Sequence, residues 1–290
     1  MKSLICLAML LVPPAAQEEI APSNPGQAQN AADRALHQMY NADFAGAHAI
    51  LTEEIRTHPD SALFYALRAG ATLFSEFSRL KILELDFFAD DDSVTDRKRL
   101  KPDPAIRADL FRATGKAREL ASASLANDPK DADALFALFM AAGVESDYTI
   151  LIEKKYLRSY SLSKETHKYS RSLLAMNPPV YDAYLSSGML EYVVGNLNFF
   201  FRLFVRFDQI KGDKQKAIDD LRLVIDHGRF YPPYARILLS VIYLRDKKPD
   251  KALALLKEYE RDFPENALIR KEIVRISEKI KRAQPGKSGR

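Results

Sequence analysis

DFAGAHAILTEEIRTHPDSA, residues Asp43 to Ala62, and PDKALALLKEYERDFPENA, residues Pro249 to Ala267, carry one pattern twice. In each, a small alanine (Ala47, Ala252) is followed four residues on by leucine (Leu51, Leu256), and a proline stands twelve residues after the alanine (Pro59, Pro264). Positions i and i+4 share one face of a helix. The alanine lets a second helix approach closely, the leucine fills the seam beneath it, and the proline stops the helix because it has no N–H to give. The same spacing returns in degraded form at Ala117, Ala121 and Pro129, at Thr166, Ser170 and Pro178, and at Ala217, Leu221 and Arg229, where the proline is missing. Ala217 and Ala252 are 35 residues apart, and Ala47 and Ala117 are 70 apart, which is two units. The steps from Pro129 to Pro178 (49) and from Pro178 to Arg229 (51) are too long for one unit, so extra elements are inserted in the middle of the array.

A helix pair of this kind has an apolar face that it cannot bury alone, so neighbouring pairs must stack. The pattern predicts an all-α chain with helices at 28–40, 44–57, 61–84, 104–127, 131–146, 148–159, 162–176, 179–194, 198–208, 213–227, 231–245, 249–262 and 265–282, and it requires no strand. With Ser240 and Tyr243 on the helix before Ala252, the pattern resembles the tetratricopeptide repeat, a helix-turn-helix unit of about 34 residues. Its best single copy runs from Pro233 to Asn266. The block from Tyr181 to Arg245 is similar to a recurrent block of exported bacterial tetratricopeptide proteins. More distantly, it is similar to the eukaryotic inclusion-body-clearance tetratricopeptide family, in which an aromatic insert precedes a Gly-Asp helix start, here Gly212 and Asp213. The resemblance implies a right-handed α-solenoid over residues 31–282 with insertions near 86–104, 146–162 and 196–212, and a binding role without catalytic residues.

At the N-terminus, MKSLICLAMLLVPPAAQEE has one lysine, an apolar run from Leu4 to Val12 and the small pair Ala15, Ala16. This is the layout of a secretory signal peptide over residues 1–16, followed by a flexible linker over 17–30. The expected location is therefore outside the cytoplasm, in the periplasm or cell envelope. The run of nine is too short to span a membrane, which takes about 20 residues. Cys6 is the one cysteine of the chain, so removal of the signal leaves no thiol for a disulfide, a nucleophile or a metal. The formal charge of +4 comes from 43 basic against 39 acidic residues that are interspersed, which does not give a nucleic-acid footprint. Residues 283–290 form a short basic tail.

NFFFRLFVRF, residues Asn198 to Phe207, lies in one of the over-long intervals. Within a helical array the 3.6-residue reading applies: Phe200, Leu203, Phe204 and Phe207 make an apolar stripe, and Arg202 and Arg206 stack four apart. Such a helix packs into the array or, through Phe200, Arg202, Phe204 and Arg206, touches a membrane surface or a partner.

Motifs that carry chemistry are missing. His37, His48, His58, His167 and His227 form no i, i+4 ligand pair, and HExxH, G-x-S-x-G, G-x-G-x-x-G and the phosphate-loop signature do not occur. Asp219 and Asp220 are adjacent on a helix and point about 100° apart, so they do not share a proton. Asp90, Asp91, Asp92 and Asp96 lack the glycine and closing glutamate of a calcium loop. No cofactor, metal or catalytic residue is expected.

In tetratricopeptide proteins the first helix of each unit lines the concave side. The resemblance places there Leu36, Met39 and Tyr40; Leu63, Ala66, Leu73 and Phe74; Phe136 and Met140; Leu185, Met189 and Tyr192; and Tyr234, Ile237, Val241 and Leu244. A groove this apolar suits an amphipathic helix or apolar peptide from a protein partner, or else is filled by the chain's own inserted helices.

Overall fold

The computed structural model describes residues 25–85, 100–197 and 207–283. The signal-like segment, residues 17–24 of the expected linker, residues 86–99, residues 198–206 and residues 284–290 of the tail lie outside them. Among the described residues are eleven α-helices and no strand: α1 Pro25–Tyr40, α2 Phe44–Thr57, α3 Ala62–Arg79, α4 Pro104–Asn127, α5 Ala132–Asp147, α6 Tyr156–Leu174, α7 Tyr184–Asn196, α8 Lys214–His227, α9 Pro232–Arg245, α10 Pro249–Asp262 and α11 Ala267–Ala283. They pack as sequence-adjacent pairs, α1 with α2 through α9 with α10, each pair stacked on the next and α11 closing the end. This is the arrangement of an α-solenoid.

The repeat anchors sit where close packing requires them. Ala47, Leu51, Ala117, Ala121, Ala217, Leu221, Ala252 and Leu256 are all buried, as are the degenerate Thr166 and Ser170. Helices α2, α4 and α10 each end two residues before Pro59, Pro129 and Pro264. Aspartates open four helices: Asp43, Asp103, Asp131 and Asp213 accept the free N–H groups of Gly46, Ala105, Ala134, and Gln215 with Lys216. Helix α5 and the turn after it, Ala132–Ile152, are apolar and long enough to cross a membrane, but 78% of the most apolar stretch is buried inside the protein, as befits a central core helix.

Four expected boundaries are corrected. The helix expected over 61–84 stops at Arg79, because Lys81 takes a left-handed φ of 61° and the N–H of Ile82 turns back to Phe77 O. The apolar spacing continues past that point because Ile82, in the turn, is still buried. The two helices expected at 148–159 and 162–176 are one π-helical turn, Tyr148–Ile152, and one unbroken helix, α6. Lys154, with φ 56°, makes the break, and Ser146 and Ser163 bridge the α5–α6 crossing at 2.9 Å. The helix expected at 179–194 begins as a 3-10 turn, Tyr181–Ala183. Helix α1 begins at Pro25, inside the expected linker, with proline in the first helical position where its missing N–H costs nothing.

Buried carboxylates hold the longer connections. Glu76 of α3 accepts the N–H of Asp103 at the start of α4, at 3.0 Å. Glu191 of α7 accepts three, from Lys211, Gly212 and Asp213, at 3.1, 2.6 and 2.8 Å. Asp182 also accepts three, from Arg229, Phe230 and Tyr231, at 2.8, 2.8 and 2.7 Å. In each case the negative charge faces the N-terminal end of the following helix, where unpaired N–H groups and the helix dipole favour it.

The first and last pairs also meet. Tyr40 of α1 donates its hydroxyl to Phe230 O at 2.8 Å, and its own carbonyl accepts from Tyr259 Oη at 2.7 Å and Asn266 Nδ2 at 2.8 Å. The Tyr40 ring stands 5.4 Å from Phe263 and 6.5 Å from Tyr259. Asn41 Oδ1 accepts the N–H of Glu265, and Asp33 pairs with Arg229 at 3.2 Å. The array therefore closes on itself along a seam of large aromatic side chains.

Candidate functional site

The residues expected on the concave side divide into two groups. Leu36, Tyr40, Phe136 and Met140 are buried. What covers Tyr40 and Phe136 is the chain's own C-terminal half: Phe136 lies 5.0 Å from Phe230 and 5.7 Å from Tyr231. Leu63, Phe74, Leu185, Met189, Tyr192, Tyr234, Ile237 and Val241 remain half-buried. Among these, Leu63, Phe74, Tyr234, Ile237 and Val241 pack on the main core, while Leu185 and Tyr192 pack on a second core formed by α8, α9 and α10. Phe200, Arg202, Phe204 and Arg206 lie outside the described residues.

A file of aromatic rings joins α3, α9 and α5. Phe74 meets Tyr234 edge-on at 5.3 Å, Tyr234 lies 6.4 Å from Tyr231, and Tyr231 lies 6.2 Å from Phe139. On α3, one turn before Phe74, Gly70 is buried, yet a Cβ built on it would touch nothing within 4 Å, so there is free space on this face.

The residue that sequence reasoning missed here is Asp147. It continues the α5 stripe of Phe136 and Met140 by two further turns, at the helical spacing i+7 from Met140. It is half-buried and makes no hydrogen bond or ion pair among the described residues. Burial pushes its carboxyl up to about 7, and no cation counters the shift. The Tyr231 and Tyr234 hydroxyls are both pushed upward chiefly by burial, Tyr231 next by the charge of Asp182 and less by that of Asp147, Tyr234 next by that of Asp147. Neither hydroxyl makes a hydrogen bond among the described residues. The sequence signal was available in the period of 3.6 counted from Phe136, but an acid in the last turn of an apolar helix reads as a helix end.

Two recesses lie elsewhere. One of about 390 Å³ follows the exposed face of α6 and is lined by Lys164, His167, Lys168, Arg171, Phe207 and Asp208. His167 Nε2 donates to Asp208 O at 2.8 Å, and its Nδ1 is buried without a partner. Burial, then the charge of Arg171, holds this imidazole below its ordinary value. The second recess, about 330 Å³, brings His48, Ser75 and Asp109 together between α2, α3 and α4. Asp109 is engaged by Arg68 and Arg112, and His48 hydrogen-bonds to neither Ser75 nor Asp109, so the geometry of a relay is not present. Asp219 is exposed and accepts from Gln215, while Asp220 is buried against Lys216, which separates the adjacent pair. Among the described residues no three metal-ligating side chains converge. No protein-family model matches the chain, and no curated protein matches it.

Proposed function

We propose that this chain is an exported, non-catalytic scaffold of the tetratricopeptide type that holds a protein partner in the cell envelope. The observation that carries the reading is the half-buried apolar row on α3, α7 and α9, Leu63, Phe74, Leu185, Met189, Tyr192, Tyr234, Ile237 and Val241, which the closure of the array leaves partly open. An amphipathic helix or apolar peptide is the occupant such a row suits. The signal-like N-terminus supports export, and the repeat spacing supports the family. The test is affinity capture with residues 17–290 from an envelope extract, run beside a Leu185→Glu, Met189→Glu variant of unchanged circular dichroism. Proteins captured by the wild type and lost by the variant support the scaffold; identical capture by both overturns it. A reporter fused to residues 1–16 that stays in the cytoplasm overturns the export reading.

A second reading, a peripheral membrane protein, is favoured by the start of α6. Leu157 is 88% exposed and Tyr156 is 45% exposed, beside Lys155 and Arg158, the apolar and basic pairing of an interfacial contact. The Phe-rich helix expected at 198–208 would add to it. Co-sedimentation with anionic liposomes that is unchanged by Leu157→Asp removes this reading.

A further inference from the structure

We propose that the outward face of α6, from Leu157 to Arg171, docks on an anionic phospholipid surface, and that the recess beside Lys164, Lys168 and Arg171 seats the phosphate of one headgroup. The inference rests on the peripheral-membrane reading, to which it adds the orientation of the helix and the chemistry that it recognises.

Helix α6 holds a single acid, Glu165, and that acid is taken: it accepts from Arg118 at 2.6 and 3.2 Å and from Tyr169 Oη at 3.1 Å. Ser159, Thr166, Ser170 and Leu173 face the interior of the array. Leu157, Ser161, Lys164, Lys168, Arg171 and Ala175 follow one another at steps of four and three residues and are all exposed, so they share the opposite stripe. Lys164 and Lys168 pair with no carboxylate among the described residues, and Arg171 reaches Asp208 at the edge of the stripe.

The recess of about 390 Å³ lies where the stripe meets Phe207 and Asp208. Its wall is held in place: His167, 6% exposed, donates from Nε2 to Asp208 O at 2.8 Å, and the Phe207 ring stands edge-on to Tyr160 at 5.2 Å and to His167 at 6.3 Å. Lys164, Lys168 and Arg171 line it against one carboxylate, Asp208, an excess of two positive charges. A cation is repelled there, and a phosphate offers several acceptor oxygens to the ammonium and guanidinium donors. Leu157 selects a lipid as the source of that phosphate. It is 88% exposed, two turns before Lys164 on the same stripe, where an apolar side chain enters the headgroup boundary while the cations beside it meet the phosphates. From Leu157 to Arg171 the stripe is about 21 Å long and straight, which suits a flat surface.

The test is co-sedimentation with vesicles of phosphatidylcholine alone and of phosphatidylcholine mixed with phosphatidylglycerol, at low and high salt. The full chain is used with residues 17–290 beside it, so that the apolar N-terminus does not carry the result. Binding is expected on the anionic vesicles alone, falling as salt rises. Lys164→Gln with Lys168→Gln is expected to weaken it by about twentyfold, roughly fivefold for each cation removed, and Leu157→Asp by about tenfold or more. Lys257→Gln with Lys279→Gln, at exposed positions of α10 and α11, removes the same charge elsewhere and is expected to leave binding within about twofold. Glycerol phosphate, a soluble headgroup, should shift the His167 imidazole resonances of the wild type and not those of the Lys164→Gln, Lys168→Gln variant. Vesicle binding that is lost in Leu157→Asp but kept in the Lys164→Gln, Lys168→Gln variant leaves the peripheral-membrane reading standing and overturns the inference, as does an equal loss in the Lys257→Gln, Lys279→Gln variant. A wild type that ignores anionic vesicles sinks the reading and the inference with it, and retention on immobilised poly-L-glutamate in that case identifies an acidic protein as the occupant.

Discussion

Asp182 is a buried carboxylate and Asp147 a half-buried one, and the chain treats them differently. Asp182 collects the N–H groups of three consecutive residues ahead of α9. Asp182→Ala strands all three donors, and a loss of about 3 kcal/mol or more in urea unfolding is expected, with the closure around Phe230 loosened. For Asp147 the expectation has the opposite sign. Its carboxyl is raised by burial to about 7, above the unfolded value near 3.9, so the charged form weakens the fold. The penalty is absent below the unfolded value, grows as pH rises, and is complete above 7. Asp147→Asn should therefore be more stable than the wild type at pH 8 by about 1 to 3 kcal/mol, with the advantage shrinking toward zero at pH 4.5. Urea titrations of both proteins at the two pH values check this, and equal stabilities at pH 8 would contradict it. A residue-level reading of the sequence singled out Phe136 and Met140 on α5 but not Asp147 in the same helical register, because hydropathy patterning searches for apolar positions.

At the scale of the element, the crossing of α7 with the loop before α8 depends on two glycines. A Cβ on Gly212, whose φ is +79°, would lie 2.8 Å from Gly195 N, and a Cβ on Gly195 would lie 2.8 Å from Gly212 O. The two backbones touch there, and only a residue without a side chain permits it. Gly212→Ala is expected to destabilise by about 1 to 3 kcal/mol and to release the Glu191 contacts, seen as faster amide exchange at 211–213. Helix existence was largely readable from the chain, since alanine, leucine and proline at fixed spacing have few other physical uses. The end of α3 and the fused α6 were not. At the end of α3 the hydrophobic period continues through Ile82, whose backbone has left the helix, while at α6 the helix runs on through 160–161 where a break was expected; periodicity records burial without recording the hydrogen bonds that define a helix.

For the whole molecule, the seam between α1 and α10 matters most. In an open array each unit interacts only with its neighbours, so the ends fray first. Here Tyr40 ties the first helix to Phe230, Tyr259 and Asn266. Tyr40→Ala should lower Tm by several degrees, on the order of 3 kcal/mol of lost packing and hydrogen bonding, and raise amide exchange in α1 and α10 together. Exchange confined to α1 would show that the ends are independent. The seam was not legible in the sequence. Residues such as Tyr40 and Phe230, 190 positions apart, carry no mutual signal in a single chain, and positions transferred from a repeat pattern say nothing of what lies across them.

A solenoid with free ends can be lengthened by duplicating a unit, and such families vary in repeat number for that reason. A chain whose last unit grips its first has lost that freedom. A helix pair inserted between α2 and α9 would move Tyr259 and Phe230 away from Tyr40 and break these contacts, so length variation between them is expected in the loops and not in whole units.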